Sequence, residues 1–177
     1  MKSTTCAFSG HRPHKFPWKN RETDPRCVAL KAALTKQITE LVDAGVTDYY
    51  SGGADGVDAW TSMIVLTLRG KNPALQLHCI LPHKGQADRW SQSARERYYE
   101  ILKQADSVEY VSQKYYDGCM LDRNRRLVEK AGVLLAVYNG EWRGGTAATV
   151  RYARKLSREI IVLAPLTLTV VHEGGQA

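Results

Sequence analysis

The 177-residue chain lacks any hydrophobic run that approaches the ~18–20 residues needed to span a membrane. Its first residues, MKSTTC, lack the apolar segment of a signal peptide. Cysteine is scarce: Cys6, Cys27, Cys79 and Cys119 are widely scattered and form no C-x-x-C motif. Because Cys6 and Cys79 fall within apolar runs, we expect both to be small buried hydrophobic residues. These absences predict a protein of the reducing cytoplasm, without a membrane segment.

Several catalytic motifs are missing as well. The chain has no Walker lysine motif and no G-x-G-x-x-G spacing, which argues against an ordinary ATPase or dinucleotide oxidoreductase. Ser9 and Ser51 have no evident His–carboxylate partners, so the sequence does not support nucleophilic catalysis. His11 and His14 lie in a proline-broken segment without a nearby cysteine or acidic ligand. We therefore predict no metal site.

What the chain does have is basic charge and a substantial apolar fraction. Lys and Arg number 25 against 18 Asp and Glu, which gives a formal net charge of +7. This excess favours anionic partners, among them nucleotides, phosphosugars, nucleic acid and acidic proteins. Hydrophobic residues make up 44% of the chain, which argues against disorder, and the length suits one domain. Assembly into a homo-oligomer stays open.

Strand-like runs alternate with amphipathic helical segments along the chain. The strand-like runs are residues 5–9, 48–51, 75–81, 107–111, 133–138 and 159–164, and the helical segments are 28–44, 57–68, 90–105, 117–131 and 146–156. This alternation predicts a single Rossmann-like α/β domain over residues 3–165, with a mostly parallel sheet and helices on both faces. Residues 12–26, with three prolines, are predicted to form a long loop. Residues 166–177 are predicted to add a last strand, over 166–171, and a flexible tail.

Two glycine turns, each between a strand-like and a helical run, carry most of the functional information. The first is the SGGADG segment that begins at Ser51, and the second is Gly144-Gly145-Thr146. Glycine lets a ligand approach the backbone, and the following helix offers unpaired N–H groups and a partial positive charge. Ligands of parallel sheets bind beyond the carboxyl ends of the strands. The two turns therefore predict a phosphate-binding pocket.

The candidate ligand-binding residues all follow predicted strands or open predicted helices. They are Gly10, Arg12, Ser51, Gly52, Gly53, Asp58, Gln86, Trp90, Arg123, Asn124, Gly144, Gly145 and Thr146. The glycine turns and the Thr146 hydroxyl are expected to cradle phosphate, and Arg12 and Arg123 to neutralise it. Trp90 is expected to wall the base, with Gln86 or Asn124 at its polar edge. Asp58 is expected to hold the ribose hydroxyls.

Plainer structural interpretations stand beside these. Gly52 and Gly53 are also compatible with a tight turn alone, Asp58 with a favourable place in a first helical turn, and Trp90 with the core. The arginines at 123, 125 and 126 cannot share one helix face, since neighbouring residues lie about 100° apart. Of this group Arg123 and Asn124 are the better candidates to face the cleft.

Several segments resemble a known protein group. The segment from Ser51 to Ala59 resembles the glycine turn of the SLOG superfamily, the Rossmann-like group that includes the DprA and LOG proteins. Arg123-Asn124-Arg125 and Gly144-Gly145-Thr146 are similar to the helix-opening motif and the last phosphate turn of DprA. Residues 79–82, Gln86, Trp90, Tyr115-Tyr116 and Arg123-Asn124 resemble, in this order, the pattern of the YpsA-like branch.

The resemblance implies a bacterial binding or sensor domain for a nucleotide or nucleotide-derived phosphate ligand, such as an ADP-ribose-like compound or a nucleotide sugar. LOG-type members are phosphoribohydrolases that use an arginine and a glutamate. Arg123 can stand in for that arginine, but residues 147–151 contain no glutamate, so Asp58 or Glu141 would have to replace it. A nucleotide-processing hydrolase of the phosphoribohydrolase type is therefore the alternative function.

DprA-like members bind single-stranded DNA. The net charge and Arg143, Arg151, Arg154 and Arg158 are compatible with that role. Because Tyr152 is the one aromatic residue among them, a solvated basic face is the favoured interpretation, and nucleic acid is not the favoured partner.

Overall fold

The computed structural model describes residues 3–174. Within this range seven strands form one sheet in the order β4-β3-β2-β1-β5-β6-β7. The strands are β1 (Thr5–Ser9), β2 (Asp48–Ser51), β3 (Gln76–His83), β4 (Ser107–Ser112), β5 (Val133–Val137), β6 (Glu159–Leu163) and β7 (Val170–Glu173). The first six strands run parallel, and β7 pairs antiparallel with β6. The predicted fold class is thus confirmed.

The five α-helices of the described chain are α1 (Pro25–Asp43), α2 (Val57–Arg69), α3 (Gln92–Gln104), α4 (Cys119–Lys130) and α5 (Gly145–Lys155). Successive side chains of a strand point to opposite faces of the sheet, so both faces carry apolar residues. The helices cover both of these faces. Cys6 and Phe8 of β1 pack into the core that contains α1, α2 and α3, whereas Ala7 packs into the core that contains α4 and α5. In β5 the same alternation applies. The described cysteines are all buried and free.

The order of the strands creates a switch point next to β1. The chain moves from β1 through β2 and β3 to the edge strand β4, and then returns to the other side of β1 with β5. Helices that follow β1 and β5 therefore leave the sheet on opposite faces and open a crevice at the carboxyl ends of the strands, where ligands of such sheets bind.

Some element boundaries differ from the sequence prediction. Helix α3 begins at Gln92, because the Oγ of Ser91 accepts a hydrogen bond from the N–H of Ala94 at 3.4 Å and caps the helix. Trp90 consequently lies in the preceding loop. The last strand begins at Val170 and extends to Glu173, so that part of the predicted tail is a strand paired with β6. Residues 175–177 of that tail lie outside the described residues.

The predicted loop over residues 12–26 is more ordered than its prolines indicate. It contains a short 3-10 helix, Pro13–Lys15, and the start of α1. Phe16 and Trp18 are buried and stack with ring centroids 4.7 Å apart. Residues 10–24, which begin directly after β1, are called the insert below, and Phe16 of the insert packs against Trp60 of α2 with ring centroids 5.6 Å apart. Across residues 3–174, no helix combines the length and apolar composition needed to cross a membrane.

Candidate functional site

A cavity of about 250 Å³ lies at the switch point between the two helical layers. Its walls come from the end of β1 and the insert, from the turn after β2, from α4 and from the start of α5. The lining residues are Phe8, Ser9, Gly10, His11, Arg12, His14, Lys15, Ala54, Asp58, Met120, Arg123, Asn124, Gly145 and Thr146. The structure thus brings together seven of the thirteen residues predicted from sequence: Gly10, Arg12, Asp58, Arg123, Asn124, Gly145 and Thr146.

Arg123 is the buried cation of this cavity, with 5% of its surface exposed. Its Nη1 donates to the carbonyl of Gly52, and its Nε donates to Asn124 Oδ1 at 2.7 Å. A guanidinium has five N–H donors, so others remain for a group in the cavity. Burial lowers the pKa of Arg123, and the nearby Asp58 acts in the opposite direction. Arg125 and Arg126 are exposed, as expected for helix neighbours that cannot share one face.

Asp58 faces the cavity from the first turn of α2. Its Oδ2 accepts a hydrogen bond from the N–H of Ala54 at 3.2 Å. Burial raises the pKa of Asp58, while Arg123, this hydrogen bond and Arg12 oppose the shift. Among the described residues it is the one carboxylate that lines the cavity. It can therefore accept hydrogen bonds from ligand hydroxyl groups.

The N-terminus of α5 adds a partial positive charge to the cavity. Gly144, with φ +106°, is the N-cap, and Gly145 and Thr146 follow it into the cavity wall. A left-handed φ of this size strongly favours glycine. The first N–H groups of an α-helix have no intrahelical partner and carry part of the helix dipole. This end of α5 is consequently suited to an anionic group.

Further cations face the same space from the insert. Arg12 extends toward α4, where its Nη2 lies 3.9 Å from Met120 Sδ, and Lys15 lines the cavity beside it. His11 is half-buried, and burial lowers its pKa, although Glu141 acts in the opposite direction. With Arg12, Lys15 and Arg123 against the single carboxylate Asp58, the cavity favours an anion.

The six remaining predicted residues do not line the cavity. They are Ser51, Gly52, Gly53, Gln86, Trp90 and Gly144. Ser51 is fully buried, and its Oγ accepts from the N–H of Gly53 at 3.2 Å. Gln86 Nε2 donates to the carbonyl of Gly53 at 2.9 Å. These contacts hold the turn after β2 in place, so that their observed role is to position the cavity wall.

Trp90 lies on the other side of that turn. Its ring packs edge-on against Tyr98, with centroids 5.3 Å apart. It also lines a second cavity, of about 570 Å³, between the insert and α3. There Arg97 pairs with Glu22 at 2.8 Å and with Asp55 at 2.7 Å. Because these carboxylates already neutralise Arg97, the second cavity is less suited to a phosphate.

Sequence reasoning missed Lys15 and Met120, and it weighed His11 and His14, which both line the cavity, only as a metal pair that it then rejected. The sequence could have indicated the insert only by its position: it follows β1 directly and therefore lies at the same end of the strands as the glycine turns. Nothing in its periodicity indicates that it folds back over the turn after β2. That return is visible in the N–H of Val57, which donates to the carbonyl of His11 at 3.4 Å.

Comparison with solved structures confirms the fold. DNA processing protein A from Helicobacter pylori, described for its single-stranded DNA binding mode, matches with a TM-score of 0.62 and 21% identity over 90% of this chain and 65% of that chain. DprA from Streptococcus pneumoniae matches with a TM-score of 0.60 and 14% identity over 92% of this chain and 53% of that one. This chain thus spans about two thirds and one half of those longer proteins.

Sequence comparison assigns the family. A UPF0398 protein of Bacillus pumilus is 32% identical over 149 residues, which are 83% of this chain and 80% of that protein. A UPF0398 protein of Bacillus anthracis is 31% identical over 84% of this chain and 82% of its own length. The YpsA family model, described as the YspA SLOG family, matches residues 6–165. This chain therefore belongs to the YpsA family of SLOG proteins.

Proposed function

We propose that this protein is a binding or sensor domain for a nucleotide or a nucleotide-derived phosphate ligand. The observation that carries the proposal is the buried Arg123, which faces a cavity at the sheet switch point together with the unpaired N–H groups at the start of α5. A buried guanidinium with free donors and a helix N-terminus favour the same chemical group, a phosphate.

The remaining lining residues support a sugar phosphate rather than a free anion. Asp58 is available for ribose hydroxyls, and Arg12 and Lys15, which are less buried than Arg123, can neutralise further charge. The cavity, at about 250 Å³, is smaller than the roughly 300–1,000 Å³ usual for small-molecule sites. A nucleotide would therefore place its phosphate and ribose here and its base outside.

A thermal-shift screen tests this function. The panel contains nucleoside monophosphates, dinucleotides, ADP-ribose and nucleotide sugars, with wild-type protein, Arg12→Ala and Arg126→Ala. A ligand at about 100 times its dissociation constant stabilises the fold by about 2.7 kcal/mol. We expect a selective shift that is lost in Arg12→Ala and kept in Arg126→Ala, because Arg126 is an exposed arginine of α4 outside the cavity wall. Absence of any shift from the panel would contradict the proposal.

Single-stranded nucleic acid is the second candidate ligand. It is supported by the fold shared with DNA processing protein A and by Arg125, Arg151 and Lys155, which line a groove beside the cavity. Strand binding through several phosphates weakens steeply with salt, with a slope that reports the number of contacts. An oligonucleotide that binds with such a slope, and more tightly than any mononucleotide, would favour this candidate.

A hydrolytic activity on the N-glycosidic bond rests on Asp58, the carboxylate of the cavity. A carboxylate can stabilise the developing positive charge on a ribose ring. Release of free base from nucleoside monophosphates by the wild type, and its loss in Asp58→Asn, would establish turnover. A bound but unaltered nucleotide would favour the sensor function.

A further inference from the structure

A groove of about 280 Å³ between α4 and α5 continues from the phosphate cavity. Asn124 lines both spaces and marks the point where they meet. Apolar surface in the groove comes from Leu121 and Ala148, and the ring of Tyr152 forms part of the wall. A ligand whose phosphate occupies the cavity would reach the groove by passing Asn124.

An exposed tryptophan lies beside this groove. Trp142, in the loop that leads into α5, has 79% of its surface exposed, whereas Trp18 and Trp60 are buried. Arg151, which lines the groove, stacks its guanidinium 5.2 Å from the centroid of the Trp142 ring. Arg151 Nη1 also donates to the Trp142 carbonyl at 2.6 Å. The indole is therefore fixed by Arg151 and offers a large, flat, solvent-facing surface.

Arg125, Arg151 and Lys155 are the cations of the groove, and carboxylates nearby partly neutralise them. Arg125 is paired with Asp122 at 3.1 Å, and the Tyr152 hydroxyl donates to Glu129 at 2.7 Å. Two carboxylates thus lie close to the groove and reduce its positive charge. Flat surfaces from Arg151 and the indole suit an aromatic heterocycle, since every nucleobase has a π-face that can stack on an aromatic ring or on a guanidinium.

We propose that the α4–α5 groove, with the stacked Arg151–Trp142 pair, is the subsite for the nucleobase of the ligand. This inference rests on the proposed function and completes it, because the phosphate cavity, at about 250 Å³, lies below the roughly 300–1,000 Å³ usual for small-molecule sites. Asn124 Oδ1 already accepts from Arg123 Nε, so its amide N–H groups are left to donate to an acceptor on the sugar or the base edge. In this assignment Trp142, and not Trp90, contacts the base.

Calorimetric titration tests the subsite with probes that differ only by the base. The probes are the four nucleoside 5′-monophosphates and ribose 5-phosphate, and the variants are Trp142→Ala and Tyr115→Ala. Tyr115 is the matched control, because it is also a strongly exposed aromatic side chain but lies outside both the cavity and the groove. We expect Trp142→Ala to weaken nucleotide binding about tenfold. Its affinity for ribose 5-phosphate and the behaviour of Tyr115→Ala should match the wild type.

The possible outcomes separate this inference from the function on which it rests. Nucleotide binding that is unchanged in Trp142→Ala would overturn the base subsite and leave the phosphate site in place. An equal loss for nucleotides and ribose 5-phosphate would also overturn it, because the effect would then not concern the base. If oligonucleotides bind far more tightly than mononucleotides, and this binding depends on Trp142, the ligand of the subsite is nucleic acid. The mononucleotide proposal is then overturned. Failure of the wild type to bind any probe would overturn both proposals.

Discussion

At the scale of single residues, the most consequential feature is a buried cation and a buried carboxylate that face one cavity. Arg123 comes from α4 and Asp58 from α2, so that each helical layer contributes one charge to the same cavity. Burial disfavours the charged form of each residue, and the partner's field opposes that effect. Removing one member should therefore cost more than removing both.

A double-mutant cycle tests this coupling. We expect Arg123→Met to lower the free energy of unfolding by about 3 kcal/mol, because Asp58 loses a compensating charge and Gly52 loses a hydrogen-bond donor. Adding Asp58→Asn should restore about 1–2 kcal/mol of that loss. Urea unfolding at pH 7 measures all four proteins. Purely additive effects of the two substitutions would show that the residues are not energetically coupled.

Gly53 is one of the residues at which backbone and packing both require glycine. Its φ is +65°, and a Cβ atom there would collide with the side chain of Leu81. Gly53→Ala should lower the unfolding free energy by about 2–4 kcal/mol, since left-handed strain of about 1 kcal/mol adds to overpacking of about 1–3 kcal/mol. Gly45 is the matched control, with φ +99° and open space around it. Gly45→Ala should cost about 1 kcal/mol, and equal losses at both positions would exclude the steric contribution.

At the scale of elements, the insert is held over the sheet by Glu22. Its carboxylate accepts hydrogen bonds from Lys31 of α1, from Trp60 of α2 at 3.0 Å and from Arg97 of α3 at 2.8 Å. Burial alone would raise the pKa of Glu22, but these three hydrogen bonds outweigh it and lower the pKa to about 2. One side chain thus ties the insert to three helices and fixes the wall of the cavity.

This anchor predicts a pH dependence of stability. The pKa of Glu22 is lower in the folded state than its ordinary value of 4.5. Its contribution is therefore complete above pH 4.5 and is lost as the pH falls toward 2. Between pH 5 and pH 2, the wild type should lose on the order of 2 kcal/mol more unfolding free energy than Glu22→Gln. Parallel pH profiles of the two proteins, measured by urea unfolding, would contradict the role of this carboxylate.

Most strands and helices could be predicted from the sequence, whereas the side-chain contacts between them could not. The strand runs and helical periods gave β1 and β2 within the observed bounds, and they placed the glycine turns at the carboxyl ends of the strands. Periodicity is local, so it could not show that Trp90 turns toward Tyr98 and away from the cavity. Nor could it show that Trp142, in a polar loop, is the exposed indole held by Arg151.

At the scale of the whole molecule, the parallel sheet turns local sequence features into one site. The residues that line the cavity come from four separate stretches of the chain, 8–15, 54–58, 120–124 and 145–146, and the switch point beside β1 gathers them at the carboxyl ends of the strands. The net charge of +7 adds a long-range attraction for anions. The membership of this chain in the YpsA family agrees with this architecture. Because one fold can host many functions, the residues of the site, and not the fold, determine which ligand binds.

The most direct test of the account is to map nucleotide binding onto individual backbone amides by ¹H–¹⁵N NMR during titration with a nucleotide that gives a thermal shift. We predict that the largest shift changes occur at Gly10, Gly145 and Thr146 and at the Nε–H of Arg123. Residues of β7, far along the sheet, should change little. Changes concentrated around Trp90 and Arg97, in the cavity between the insert and α3, would contradict the proposed phosphate site.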